Sequence, residues 1–166
     1  MSGVVRAPIA YVADTGERPR YYANAHEKDT IVVAPVTMPI EDLRGTATSL
    51  DVEGCVLLRH ASNVADFADP EQIALIHEGE IVALMKEVTG CDHVSVVPRG
   101  ILRFSEKSGK TGSSDNSHPA RFAHVDVSAE TGAQMRQQGA PQGRTIARSA
   151  QFNVWRAISG APQDVP

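Results

Sequence analysis

Arg121-Phe122-Ala123-His124-Val125-Asp126-Val127 is the stretch on which the reading of this chain turns. It has the pattern of a β-strand that stops at Ser128, a residue able to cap a short helix over 129–138. Side chains two apart on a strand share a face, so His124 and Asp126 are expected to project together. Downstream, Phe152, Val154 and Arg156 alternate with Asn153, Trp155 and Ala157, and a second strand is expected there, with Trp155 in the core. Upstream, 105–119 (SEKSGKTGSSDNSHP) holds no large apolar residue and is expected to form a mobile loop.

Further towards the N-terminus, Asp69-Pro70-Glu71-Gln72 reads as a helix start: Asp69 as cap, Pro70 at the first helical position, Gln72 three residues after the cap. Ile73, Ile76, Ile81, Leu84, Met85 and Val88 then recur at helical spacing up to Gly90, with His77 expected to face outward. His93–Val97 and Ile101–Phe104 read as short strands, and the consecutive apolar residues of Gly54–His60 as a buried one. Thr30–Val36 is rich in β-branched residues, with Pro35 marking an edge or an early end. Pro8–Val12, a turn over 14–19 and then Tyr21-Tyr22 resemble a hairpin. The fold class expected is α+β, rich in β-structure.

At 166 residues the chain is long enough for one self-sufficient domain. Apolar residues make up 42% and charged residues 22%, a globular composition rather than a disordered one. The net charge of −4, with no basic block beyond Arg18 and Arg20, argues against a nucleic-acid partner. No apolar run approaches the roughly 18 residues of a membrane helix, and the first residues lack a secretory pattern. The expectation is a cytoplasmic protein without a membrane partner. Cys55 and Cys91 show no CxxC spacing and are expected as buried, reduced thiols.

Chemistry concentrates on His124 and Asp126. One imidazole nitrogen and one carboxylate oxygen on a common face can reach a single ion, the arrangement that gives two of the three ligands in non-haem Fe(II) oxygenases. The plain alternative is a strand-end hydrogen bond. His93, in Cys91-Asp92-His93, is a rival ligand better read as a turn residue, and His26, His60, His77 and His118 are scattered. No GxSxG carries a serine nucleophile, and no GxGxxG or GxxxxGK[ST] cradles a phosphate.

The order of segments adds a resemblance. The segments at 11–22, Pro39–Arg44, Asp51–His60, Pro119–Asp126 and 152–164 (FNVWRAISGAPQD) together resemble the cephamycin 7α-hydroxylase-like and fungal hydroxylase/desaturase family of secondary metabolism, regarded as Fe(II)- and 2-oxoglutarate-dependent oxygenases. Asn153-Val154-Trp155-Arg156 with the following Gly-x-Pro-Gln-Asp is the most specific part. The resemblance implies part of a double-stranded β-helix (jelly roll) with flanking helices, His124 and Asp126 as the first two iron ligands, Fe(II) and 2-oxoglutarate as cofactors, and a small-molecule substrate. Arg156 is the candidate among these residues for holding the 2-oxoglutarate carboxylate. Val127 stands where the family usually has an aromatic residue. The resemblance places the third iron ligand and the usual 2-oxoglutarate anchor beyond Pro166, so 1–166 is expected as a single oxygenase-like domain incomplete at its C-terminus, inactive if it acts alone. The alternative is a non-catalytic β-rich binding or assembly module, able to form a homo-oligomer through an exposed strand edge.

Overall fold

Val4–Val12 (β1) and Val33–Glu41 (β2) pair antiparallel, from Val4 opposite Glu41 to Val12 opposite Val33. These strands belong to a computed structural model that describes residues 3–22, 25–97, 100–104 and 121–159. The chain divides into two compact units, Met1–Ala61 with Ser113–His124 and Ser62–Gly112 with Val125–Pro166. The hairpin lies in the first.

Both strands run through prolines, and the register explains how. Just past the paired residues Ala13 N–H donates to Val32 O at 2.8 Å, so the mutually bonded pairs occupy the odd positions of β1. Pro8 opposite Thr37, Pro35 opposite Ala10 and Pro39 opposite Arg6 all have the other parity. Their missing N–H groups therefore cost the ladder nothing, and on the outer edges they remove donors that a further strand would use. The hairpin expected between Pro8–Val12 and Tyr21-Tyr22 does not form: β1 pairs with β2 instead, and Pro35 sits inside β2 rather than ending it. The same alternation places Val5, Ala7, Ile9 and Tyr11 on one face with their partners Ile40, Met38, Val36 and Ala34. That apolar face is largely exposed, with Val5 at 63% and Ile40 at 42%.

The connection between the strands folds back on itself. Thr30 N–H donates to Arg20 O and Arg20 N–H to Thr30 Oγ1, both at 3.0 Å. Asp29 Oδ1 accepts from Tyr22 N–H at 2.7 Å, and a 3-10 turn spans His26–Lys28.

In the second unit the helical run over 70–89 consists of α1 (Pro70–Gln72), a π-helical stretch (Ile73–His77) and α2 (Glu78–Thr89). Asp69 Oδ1 accepts from Glu71 N–H at 2.9 Å, as its capping position predicts. Gln72 reaches back as well: its Nε2 donates to Asp69 Oδ2 and its Oε1 accepts from Ala65 N–H at 2.8 Å. Ile81, at 7% exposed, is buried on the expected apolar stripe, where Ile73, Ile76, Leu84, Met85 and Val88 are half-buried. Gly90 ends the run in the left-handed region at φ 67°, its N–H on Lys86 O, a conformation that favours glycine. A shorter helix, α3 (Ala129–Gln138), starts where expected, with Ser128 Oγ accepting from Thr131 N–H at 3.2 Å.

Other expectations require correction. Residues 54–60, 93–97, 101–104, 121–127 and 152–158 are irregular rather than strands. An extended pattern becomes a strand only where a neighbour completes its hydrogen bonds, and among the described residues the ladder is that of β1 with β2. The segment 54–60 is not buried: Leu57 is 66% exposed, and Cys55, like Cys91, is an exposed free thiol. Trp155 is 74% exposed instead of in the core. His77 turns inward, its ring edge-on to Phe67 at 5.4 Å. The expected mobile loop at 105–119 lies outside the described residues.

Candidate functional site

Residues 121–124 reach the outer edge of β1, where Ala123 N–H donates to Ala10 O at 2.8 Å. Ala10 stands opposite Pro35 in a pair without mutual bonds, so its carbonyl points away from β2 and is available to a third segment. This anchor sets the ring of Phe122, which meets Tyr21 edge-on at 5.2 Å and lies tilted against His124 at 5.5 Å. His124 Nδ1 is 2.9 Å from the carbonyl oxygen of Phe122. A carbonyl only accepts, so Nδ1 carries the hydrogen of this bond, and in the neutral ring the lone pair falls on Nε2. Metal-binding histidines are commonly oriented by a bond of this kind at the other nitrogen.

Asp126 belongs to the second unit. Its Oδ2 accepts from Asn153 Nδ2 at 2.6 Å, which fixes the carboxylate in orientation. Reading the sequence for ligands passed over Asn153. The signal was available, because Asn153 opens the Asn-Val-Trp-Arg segment that carries the most specific part of the resemblance.

Arg156, in the same unit, is half-buried with its guanidinium carbon 5.4 Å from the centroid of Phe67, a cation-π contact. Phe67 thus has Arg156 over its ring and His77 at 5.4 Å. A further polar cluster in this unit was also missed. Glu80, whose side chain is 13% exposed, accepts from Ser62 Oγ at 2.5 Å, from Asn63 N–H at 2.7 Å and from Asn63 Nδ2 at 3.1 Å. It ties the segment before the helix to α2, and its helical position among apolar neighbours is the clue that it faces inward.

On donor chemistry, a neutral imidazole nitrogen and an ionised carboxylate suit divalent iron. His124 and Asp126 each offer a donor of that type, but the strand expected to set them on one face does not form, and they fall in different units. Among the described residues no group of three His, Cys, Asp or Glu is placed to hold a metal ion. Nor is any helix among them long and apolar enough to cross a membrane.

No curated protein and no solved structure matches the chain. A family model described as oxidoreductase/YMDC permease-like domain matches residues 9–166, which takes in the end of β1, all of β2, both helical segments, His124, Asp126 and Arg156. The chain belongs to that oxidoreductase-like family.

Proposed function

We propose that the chain is an Fe(II)- and 2-oxoglutarate-dependent oxygenase, a hydroxylase or desaturase of secondary metabolism acting on a small molecule, with His124 and Asp126 as protein ligands. The observation that carries this reading is the Phe122 carbonyl at 2.9 Å from His124 Nδ1, which leaves the ring's lone pair on Nε2. Val125 alone separates the two proposed ligands in sequence. Asp126 contributes charge to offset that of the ion, and Asn153 holds its carboxylate in one orientation. Arg156 is the proposed partner of the 2-oxoglutarate carboxylate; the Phe67 ring gives its guanidinium a fixed plane, which recognition of a planar carboxylate requires. Bound iron with 2-oxoglutarate would supply the oxidation that takes hydrogen from a C–H bond. Part of a double-stranded β-helix is the architecture that goes with this reading, and membership of an oxidoreductase-like family supports its reaction class.

Anaerobic Fe(II) titration of the full chain against a variant carrying His124→Ala and Asp126→Ala tests the ligands. Saturable binding by the parent and its loss in the variant are expected, and equal binding by both overturns the assignment. Release of succinate from 2-oxoglutarate under oxygen, abolished by the same changes, tests the reaction.

A second reading, an assembly module, is favoured by the exposed apolar face of the hairpin, where Val36 is 46% and Met38 37% exposed. Mass measured across a range of concentrations separates the two readings: growth in mass without iron binding supports assembly.

A further inference from the structure

We propose that the depression of about 370 Å³ lined by Arg18, Pro19, Arg20, Tyr21 and Tyr22 is a binding site for an organic carboxylate with a flat, apolar body. It lies wholly within the first unit and goes beyond the iron reading, on which it does not depend.

The backbone of the lining is held by hydrogen bonds, and the Tyr21 ring packs edge-on against Phe122. Arg20 is pinned at both its N–H and its carbonyl by Thr30, Tyr22 N–H by Asp29, and Ala25 N–H returns to Tyr22 O at 3.0 Å. Pro19 fixes its own φ and confines Arg18 to extended backbone, which narrows the positions open to both arginines. The backbone is therefore set while the guanidiniums and rings remain on the surface, a preorganised wall with functional groups outward.

Charge points to the class of ligand. Among the described residues neither Arg18 nor Arg20 is held in an ion pair, although the chain as a whole is acidic at −4. A guanidinium donates two parallel N–H groups to a carboxylate, and tyrosine rings supply flat apolar surface with a polar tip. Phosphate sites typically draw on backbone N–H groups at helix N-termini or in glycine-rich loops, whereas this wall offers side-chain forks and ring faces.

The site also has an address. Tyr21 meets Phe122 edge-on, and Phe122 lies against His124, so a ligand on Tyr21 is two ring contacts from the His124 imidazole. An acid anchored here by its carboxylate would have its body beside the segment that carries His124.

The test uses the metal-free full chain and three probes: 4-hydroxybenzoate, its neutral counterpart 4-hydroxybenzamide, and inorganic phosphate. Binding is followed by calorimetry and by the NMR signals of the tyrosine rings. Saturable binding of 4-hydroxybenzoate with shifts at Tyr21 and Tyr22 is expected, weakened about tenfold or more in an R18Q/R20Q variant and for the neutral amide. Equal binding of acid and amide to the parent overturns the proposal without any variant, and so does undiminished binding by R18Q/R20Q. Phosphate binding more tightly than the benzoate overturns the carboxylate assignment. Because no iron is present, these results stand apart from the fate of the His124 and Asp126 reading.

Discussion

In the β1–β2 hairpin the ordering bonds join residues as far apart as Val5 and Ile40, while at the start of the helical run Asp69 binds Glu71 and Gln72, two and three residues on. The two regions also differ in what they leave on the surface. The hairpin exposes an apolar face that includes Val5, Tyr11, Val36 and Ile40, whereas the helix turns its stripe inward around Ile81. Each therefore depends on a different kind of interaction: the hairpin on backbone ladder bonds across long sequence separations, the helix on side-chain oxygens that gather nearby donors. The difference teaches where each region should break.

The largest effect is expected at Glu80. It is nearly buried and holds Ser62 and Asn63 through three hydrogen bonds, so Glu80→Ala leaves several donors to find water in a confined space. A loss of about 3 kcal/mol is expected, since bonds to a charged acceptor are the stronger kind. Urea unfolding measures it; Glu80→Gln, which keeps an acceptor, should lose less. A loss for the alanine variant no greater than that of an exposed helix position would show that the tie to 62–63 is dispensable.

On the hairpin side the parity of the ladder gives a paired test. Val36 stands opposite Ile9 in a mutually bonded pair, so Val36→Pro removes a ladder donor and should cost about 2 kcal/mol. Thr37 has the outward parity of Pro35 and Pro39, and Thr37→Pro should cost less than about 1 kcal/mol. Hydrogen exchange at the β1 amides, compared between the two variants, reads the difference directly. Equal loss of protection in both would overturn the register.

The same contrast decides what could be read from sequence. The Asp69 cap, Pro70, the apolar stripe and the Gly90 stop are all local, and each is where the residues put it. Ser128 capping Ala129–Gln138 is another local signal of this sort. Pairing is not local: nothing near Tyr11 announces that Ala34 rather than Tyr22 lies opposite, and prolines in β2 argue against a strand until their parity is known. The period-two pattern at 152–158 shows the converse, because alternation supplies no partner. At the candidate site the types of His124 and Asp126 were legible, whereas the Phe122 carbonyl and the Asn153 amide that orient them depend on how the backbone turns.

A smaller effect is expected at Asp69, and it depends on pH. The Gln72 side chain first, and then the Glu71 N–H, favour the charged carboxylate and hold its pKa below the usual aspartate value. Its contribution is therefore present above the ordinary carboxylate value and lost as pH falls through the lowered one. Helicity followed by circular dichroism through that range should fall in the parent. In Asp69→Asn, which keeps a capping oxygen without a titrating group, this part of the fall should be absent. The same acid profile in both would assign the loss of helix to other carboxylates.

The smallest effect is expected at Asp42, although its pKa is the more strongly shifted. Arg44 grips the carboxylate with its side chain, with Nη2 to Oδ2 at 2.6 Å and Nε to Oδ1 at 2.8 Å, and adds its backbone N–H at 3.0 Å. The side-chain bond is the main cause that lowers the pKa from 3.8 to about 2. The sign is that of Asp69: the interaction contributes above the ordinary value and is lost between about 4 and about 2. Yet Arg44 is 81% exposed and the pair joins residues two apart, so water and salt screen it and it ties no distant parts of the chain together. Arg44→Gln should therefore raise the Asp42 pKa only partway, because the backbone N–H still donates, while the thermal midpoint at neutral pH stays unchanged. Carboxyl NMR titration reads the first quantity and calorimetry the second. A midpoint that fell as far as in Glu80→Ala would show that an exposed local ion pair can hold the end of β2 as firmly as a nearly buried carboxylate holds the helix, and the contrast between the two regions would fail.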